Sequence, residues 1–339
     1  MAELRLDPVT RRWVVTGKRP IMPDVIDRDV MCPFCPENED LTPKAIEQIL
    51  GPDGKWLVRV FHDRAPAFRV EGNLDRQGEG MFDRMNTVGA HEIVVDTPQH
   101  GPTLAQLEPK QIEQVLGVCR DRILDLKHDI RFRYVSLFRD QAAPGPSLQG
   151  HSHAKILASP VLPQLMEIEF RWCRLHFQKK ERCLYCDIIE QELQNDKRVV
   201  DRNPEYVALC PYASLLPYEL WILPLRHASS FDKDLGDPAY LRSLASFLKS
   251  NLLRIEKLSP ALHLVVHTEP NLEAHKHSED WWGTIADDFH WHIEISPDIE
   301  GERRFLGSGG FYFNPIPAEE ATLVLRALDQ IPDSGSSTS

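Results

Sequence analysis

Two Cys-x-x-Cys pairs and two His-x-His pairs, repeated in the same order, constrain this chain more than any other feature. Cys32 and Cys35 (CPFC) precede His151 and His153 (GHSHAK), and Cys183 and Cys186 (CLYC) precede His290 and His292 (FHWHIEI). Other features recur between them. VRVFHDRAPAF carries Asp63-Arg64 ahead of Pro66, and RVVDRNPEYVAL carries Asp201-Arg202 ahead of Pro204. HEIVVDTPQH and ELWILPLRH each hold a glutamate eight residues before a histidine, Glu92 with His100 and Glu219 with His227. Apolar residues at three- and four-residue spacing predict helices over 109–129 and 238–258, each followed by a strand-like run at 132–140 and 261–268. A helix near 161–180 links the halves, and one at 317–331 closes the second.

This order predicts an α+β protein of two tandem copies of one unit, over 1–165 and 166–332. Each copy is a mostly antiparallel sheet with helices and has its His-x-His strand inside the sheet. The tail 333–339 is expected to lack structure. A dinucleotide-binding βαβαβ series with a GxGxxG loop is absent from the pattern.

A chain of 339 residues is long enough for two ordinary domains. Its net charge of −12 argues against a nucleic-acid coat or an anionic membrane surface as partner. The N-terminus MAELRLDPVTRRW has no apolar leader and no apolar run reaches membrane-spanning length, which predicts a cytoplasmic protein. In that compartment Cys-x-x-Cys pairs point to metal or redox chemistry rather than disulfides.

Each half offers two thiols and at least two histidines, a preferred tetrahedral donor set for Zn²⁺. The predicted ligands are Cys32, Cys35, His100 and His151 in the first half, and Cys183, Cys186, His227 and His290 in the second. Four protein ligands close the coordination shell, so both zinc sites are expected to be structural. Cys119, Cys173 and Cys210 have no partner in the pattern and read as core thiols. With His151 on the metal, His153 is left over on the same side of the strand, with Lys155 two residues further on. A free imidazole there can serve as a base or as a nucleophile toward phosphorus.

With CPFC, VRVFHDRAPAF, HEIVVDTPQH, the HSH strand, RVVDRNPEYVALCPYA, ELWILPLRHASSF, FHWHIEI and GSGGFYFNP, the chain resembles the galactose-1-phosphate uridylyltransferase and ADP-glucose phosphorylase group of the histidine-triad superfamily. The resemblance implies ping-pong nucleotidyl transfer. His153 attacks the α-phosphorus of a nucleoside-diphosphate sugar such as UDP-glucose, and a nucleotidyl-histidine awaits a sugar 1-phosphate or phosphate. It further implies Lys155 at the phosphoryl group, substrate contacts at Asp63, Asp140, Gln141, Gly309 and Asn314, and a homodimer. An ADP-glucose phosphorylase-type enzyme is the alternative, and a degenerate nucleotide-binding or zinc-scaffold protein is another.

The site motif departs from the family's N-x-G-x-x-x-G-x-S-x-x-H-x-H-x-Q. In DQAAPGPSLQGHSHAK, Asp140 replaces the asparagine, Ala142 and Pro146 the glycines, Leu148 the serine and Lys155 the glutamine. Asp63 also stands where an asparagine is usual. Two added carboxylates repel a diphosphate unless each is paired with a cation, and Lys155 is expected to compensate. His292 and Glu294 read as part of a structural strand. His267, His275 and His277 read as a solvated loop, and WWGTIADDFHW as packing around the second zinc.

Overall fold

The computed structural model describes residues 2–17, 31–141, 150–275, 283–299 and 312–328. Gly309, Ala142, Pro146, Leu148, His277 and the tail lie outside them.

In chain order the strands are β1 (Glu3–Leu6), β2 (Trp13–Thr16), β3 (Glu47–Leu50), β4 (Trp56–His62), β5 (Gln77–Glu79), β6 (Phe82–Asn86) and β7 (Ala90–Val95). Helix α1 (Pro109–Lys127) follows, then β8 (Tyr134–Gln141), β9 (His153–Ser159), α2 (Gln164–Lys180) and α3 (Leu184–Asn195). The second half continues with β10 (Val199–Arg202), β11 (Tyr206–Leu209), β12 (Leu220–Pro224), α4 (Phe231–Asp234), α5 (Pro238–Glu256) and β13 (Leu262–His267). It ends with α6 (Leu272–His275), α7 (Ile285–Asp288), β14 (His292–Pro297) and α8 (Ala318–Leu328).

Ten of these strands form one antiparallel sheet in the order β10-β11-β12-β14-β13-β8-β9-β7-β4-β3. Read outward from the β8–β13 seam, each side repeats the same arrangement: the strand after the long helix, the His-x-His strand, then three more. β1, β2, β5 and β6 build a separate four-stranded sheet. Among the described residues no helix is long and apolar enough to cross a membrane.

Both long helices start with proline at the first turn, where its missing N–H costs nothing. Asp237 caps α5 by accepting from the Ala239 N–H. α1 buries Ile112, Val115, Cys119, Ile123 and Leu126, and α5 buries Leu241, Leu244, Leu248, Leu252 and Ile255, one stripe each at helical spacing. Both stripes cover the sheet face built by Val58, Val94, Ile156, Leu137, Leu264 and Ile293. Each fully buried aliphatic side chain here contributes roughly 1.5–3 kcal/mol. The opposite face, which carries His153, is covered by α2 and α3 only toward the second half.

Strand register corrects two of the sequence matches. Asp63 directly follows β4, whereas Asp201 lies within β10, and β10 occupies the outermost place that β3 holds in the first half. The two Asp-Arg segments are therefore not equivalent positions. Glu92 lies on the helix-covered face and pairs with Arg122 of α1 at 2.7 Å. Glu219 accepts from Trp221 Nε1 on the other face, where Trp221 stands opposite Glu294. A slip of one residue between the halves is enough to reverse the face.

Candidate active site and metal centres

The two predicted ligand sets assemble as four-residue groups whose donor atoms all lie within 4.8 Å of one another. In the first, Cys32 Sγ is 3.5 Å from His151 Nδ1, and Cys35 Sγ is 3.6 Å from His100 Nδ1 and 3.7 Å from His151 Nδ1. In the second, Cys186 Sγ is 3.4 Å from His227 Nδ1 and 3.6 Å from His290 Nδ1. A tetrahedral zinc with ordinary bond lengths separates sulfur from nitrogen by about 3.6 Å, so both groups fit that ion. Backbone carbonyls set the tautomers. His151 Nε2 donates to Thr97 O at 2.8 Å, His227 Nε2 to Ala286 O at 2.8 Å and His290 Nε2 to Pro224 O at 3.0 Å. Each leaves Nδ1 as the free donor atom. Without metal, burial and the neighbouring Cys32 push the Cys35 thiol up to about 12, while the hydrogen bond with Cys183 brings Cys186 down to about 3.

His153 begins β9, two residues beyond the candidate ligand His151. Its Nδ1 donates to the His151 carbonyl at 2.8 Å, which leaves the Nε2 lone pair available. Burial first, then the charges of Arg139 and Lys155, lower its pKa to about 4, so the ring is neutral near pH 7. The Phe34 ring stands edge-on to it at 5.1 Å. A small cleft lined by Gly101, Thr103, Asp140, Gln141, Gly150 and His153 opens at this end of the strand.

Behind the pair, on the helix-covered face, Asp96 clamps the strand. It takes Arg139 through both carboxylate oxygens, accepts the Ser152 hydroxyl at 2.6 Å, and donates its own N–H to the Ser152 carbonyl at 3.1 Å.

Both aspartates that depart from the family motif have partners. Asp140 lies 3.1 Å from Lys155 Nζ and 2.9 Å from His263 Nδ1. The His263 hydrogen bond, followed by that of Lys155, holds its carboxyl well below the usual range. Asp63 faces the buried His91 at 3.4 Å and accepts from the Ala65 N–H. Gln141 lines the cleft, but its amide donates to Glu256 and to the Pro260 carbonyl. Asn314 is braced within the second half, donating to Ser214 O and Leu216 O and accepting from Ile316 N–H.

His267 is not in a solvated loop. It ends β13, is 2% exposed, and groups with Glu169, His292 and Glu294, whose ligand atoms lie within 4.8 Å and could hold an ion. His292 and Glu294 both lie in β14. His292 repeats the geometry of His153, donating from Nδ1 to the His290 carbonyl at 3.1 Å, but its Nε2 faces Glu294 at 3.5 Å. Of the aromatic segment, Phe289 packs under α2 against Phe170, while Trp291 lies in the core of the other face. Cys119, Cys173 and Cys210 are buried core thiols.

His91, Asp96, Arg139, Ser152, Glu169 and His263 escaped the sequence reading. The signal for Arg139 was an arginine at an apolar position of the alternating run YVSLFRD.

Residues 4–163, which contain the first ligand set and His153, match the family described as galactose-1-phosphate uridyl transferase, N-terminal domain. The chain is 27% identical over 342 residues to the ADP-glucose phosphorylase of Arabidopsis thaliana, covering 96% of this chain and 92% of that protein. It is 27% identical over 344 residues to the galactose-1-phosphate uridylyltransferase of Thermotoga maritima, covering 96% and 98%. The chain is a homologue of these two enzymes. A solved Arabidopsis ADP-glucose phosphorylase with bound ADP-glucose matches it with a TM-score of 0.73 at 27% identity, over 96% of this chain and 99% of that one. A uridylyltransferase structure with a TM-score of 0.77, 24% identical over 97% of this chain and 98% of that one, has the same fold.

Proposed function

We propose that this homologue of galactose-1-phosphate uridylyltransferase is a nucleotidyltransferase that acts on nucleoside-diphosphate sugars through a nucleotidyl-histidine on His153. The observation that carries the reading is the bond from His153 Nδ1 to the His151 carbonyl, which directs a neutral Nε2 lone pair away from the strand. Nε2 attacks the α-phosphorus, and the sugar 1-phosphate leaves. Lys155 steadies the phosphoryl oxygens, with Asp63, Asp140, Gln141, Gly309 and Asn314 as candidate substrate contacts. The acceptor is a sugar 1-phosphate, as in a UDP-glucose–hexose-1-phosphate uridylyltransferase. The 27% identity to the Arabidopsis ADP-glucose phosphorylase supports, as a second reading, an ADP-glucose phosphorylase-type enzyme whose acceptor is phosphate.

Zinc in the two Cys₂His₂ groups would be structural, holding His151 and with it the strand that presents His153. The working division is a catalytic half over 1–165 and a second histidine-triad-like half over 166–332. Incubation with UDP-glucose and with ADP-glucose, followed by mass analysis of the His153 peptide, tests the reading. A uridylyl or adenylyl adduct is expected. Absence of any adduct with every nucleotide sugar would leave a binding or scaffold protein instead.

A further inference from the structure

The two Cys₂His₂ groups share a donor set but differ in what covers them. In the first, Cys32 and Cys35 are 7% and 8% exposed and sit in an apolar cluster with Phe34, Trp56, Phe61, Ile93 and Val95. In the second, Cys183 and His290 are buried, but Cys186 is half-buried and His227 is exposed. The edge between Cys186 Sγ and His227 Nδ1, 3.4 Å long, faces solvent. A zinc-bound cysteine is a thiolate, the nucleophilic form of the residue. Access then decides which of the two thiolate pairs meets an oxidant from water. Cys119, Cys173 and Cys210 are buried and do not compete.

The second pair is also placed to close on itself. Cys183 is the N-cap of α3 and Cys186 lies in its first turn, where the Asp187 N–H donates back to the Cys183 carbonyl at 3.2 Å. Their sulfurs are within 4.8 Å of each other and of both imidazoles. His227 lies just after β12 and His290 just before β14, so an ion held here ties the start of α3 to two strands. Tyr185, between the two cysteines, packs its ring 4.7 Å from that of His292.

We propose that Cys183 and Cys186 form a redox-sensitive zinc switch, which hydrogen peroxide oxidises to a disulfide with release of the ion, while the first centre keeps its zinc. The proposal rests on the structural-zinc reading above. The Cys186 thiolate attacks one peroxide oxygen, the O–O bond breaks, and hydroxide leaves behind a sulfenic acid. The Cys183 thiolate then attacks the Cys186 sulfur, closing the Sγ–Sγ bond and expelling a second hydroxide. Two protons from solvent convert both hydroxides to water, so the two electrons of the thiolate pair reduce the peroxide to two waters. His227 and His290 alone are too few ligands for a structural zinc. The ion departs as Zn²⁺, and α3 loses its tie to the sheet.

The test treats protein prepared without chelator with hydrogen peroxide in the presence of a chromophoric zinc chelator. One zinc per chain should appear in a fast phase, roughly tenfold or more ahead of the other, in step with the loss of two free thiols. Mass mapping should place the loss of two hydrogens on the peptide carrying Cys183 and Cys186, and a dithiol with added zinc should reverse both changes. Cys186→Ser should start with one zinc fewer and lack the fast phase. Should that variant fail to fold, mass mapping of the wild-type protein decides alone. Release of both ions at one rate, or oxidation first at Cys32 and Cys35, would overturn the proposal and leave the zinc reading intact. Loss of the fast zinc to the chelator alone, with both thiols still reduced, would overturn it as well. Protein with no bound zinc would sink the zinc reading and the switch together.

Discussion

Asp96 accepts from both terminal nitrogens of Arg139, at 2.6 and 3.0 Å, and the two side chains are 0% and 4% exposed. The pair sits on the reverse of the sheet from His153, and its third member, Ser152, is the residue between the two histidines. A buried pair is costly to break because the surviving charge keeps no partner. Asp96→Ala should therefore cost about 3–5 kcal/mol in urea unfolding, and Ser152→Ala about 1 kcal/mol. A loss below about 1 kcal/mol for Asp96→Ala would mean that the clamp does not hold the histidine strand.

The metal prediction follows from the 3.4–3.7 Å sulfur–nitrogen distances in both Cys₂His₂ groups. Protein prepared without chelator should carry at least two zinc ions per chain. Cys32→Ser should lower zinc content and thermal stability together, since metal binding is coupled to folding. His151→Asn should do the same. His153→Asn should keep zinc and fold but lose nucleotidylation. Equal zinc loss in the two histidine variants would contradict the division of roles.

How much of this was legible in sequence depended on distance along the chain. The His-x-His pairs and Cys-x-x-Cys pairs carry their geometry locally, because alternate strand residues share a face whatever the strand pairs with. Groups completed by another strand were not legible. Asp140 acquires His263 only because β8 and β13 meet at the seam between the halves, a pairing of residues 123 positions apart. His267 looked like part of a polar loop, since the glutamates that surround it come from α2 and β14. The glutamate-histidine spacing misled for a related reason. Spacing along the chain does not reveal a one-residue change of register, and Glu92 and Glu219 ended on opposite faces.

Asp140 also carries a pH prediction. Its carboxyl is held below the ordinary range by His263 and then Lys155, so it adds stability above its unfolded pKa, about 3.9. That contribution fades as pH falls toward the folded value. With the side chain 46% exposed, solvent screening keeps the effect under about 1 kcal/mol. Asp140→Asn should be slightly less stable than wild type at pH 7, with the gap closing below about pH 4. A gap that widens in acid would reverse the assignment.

The last prediction concerns Lys155, whose ammonium lies 3.1 Å from Asp140 and whose charge is felt at His153. If it steadies the phosphoryl oxygens during attack, Lys155→Ala should slow nucleotidylation of His153 by roughly 10²–10³. Lys155→Gln supplies an amide donor but leaves Asp140 ionised beside an incoming diphosphate, so it should recover little. Adding Asp140→Asn should recover more. Adding Asp63→Asn should change less, because Asp63 already faces His91. The measurement is single-turnover labelling of His153, which reports the nucleotidylation step alone. Wild-type labelling by Lys155→Gln alone would show that the charge of Lys155 does no chemical work, and that its ion pair with Asp140 is only a cross-strand contact.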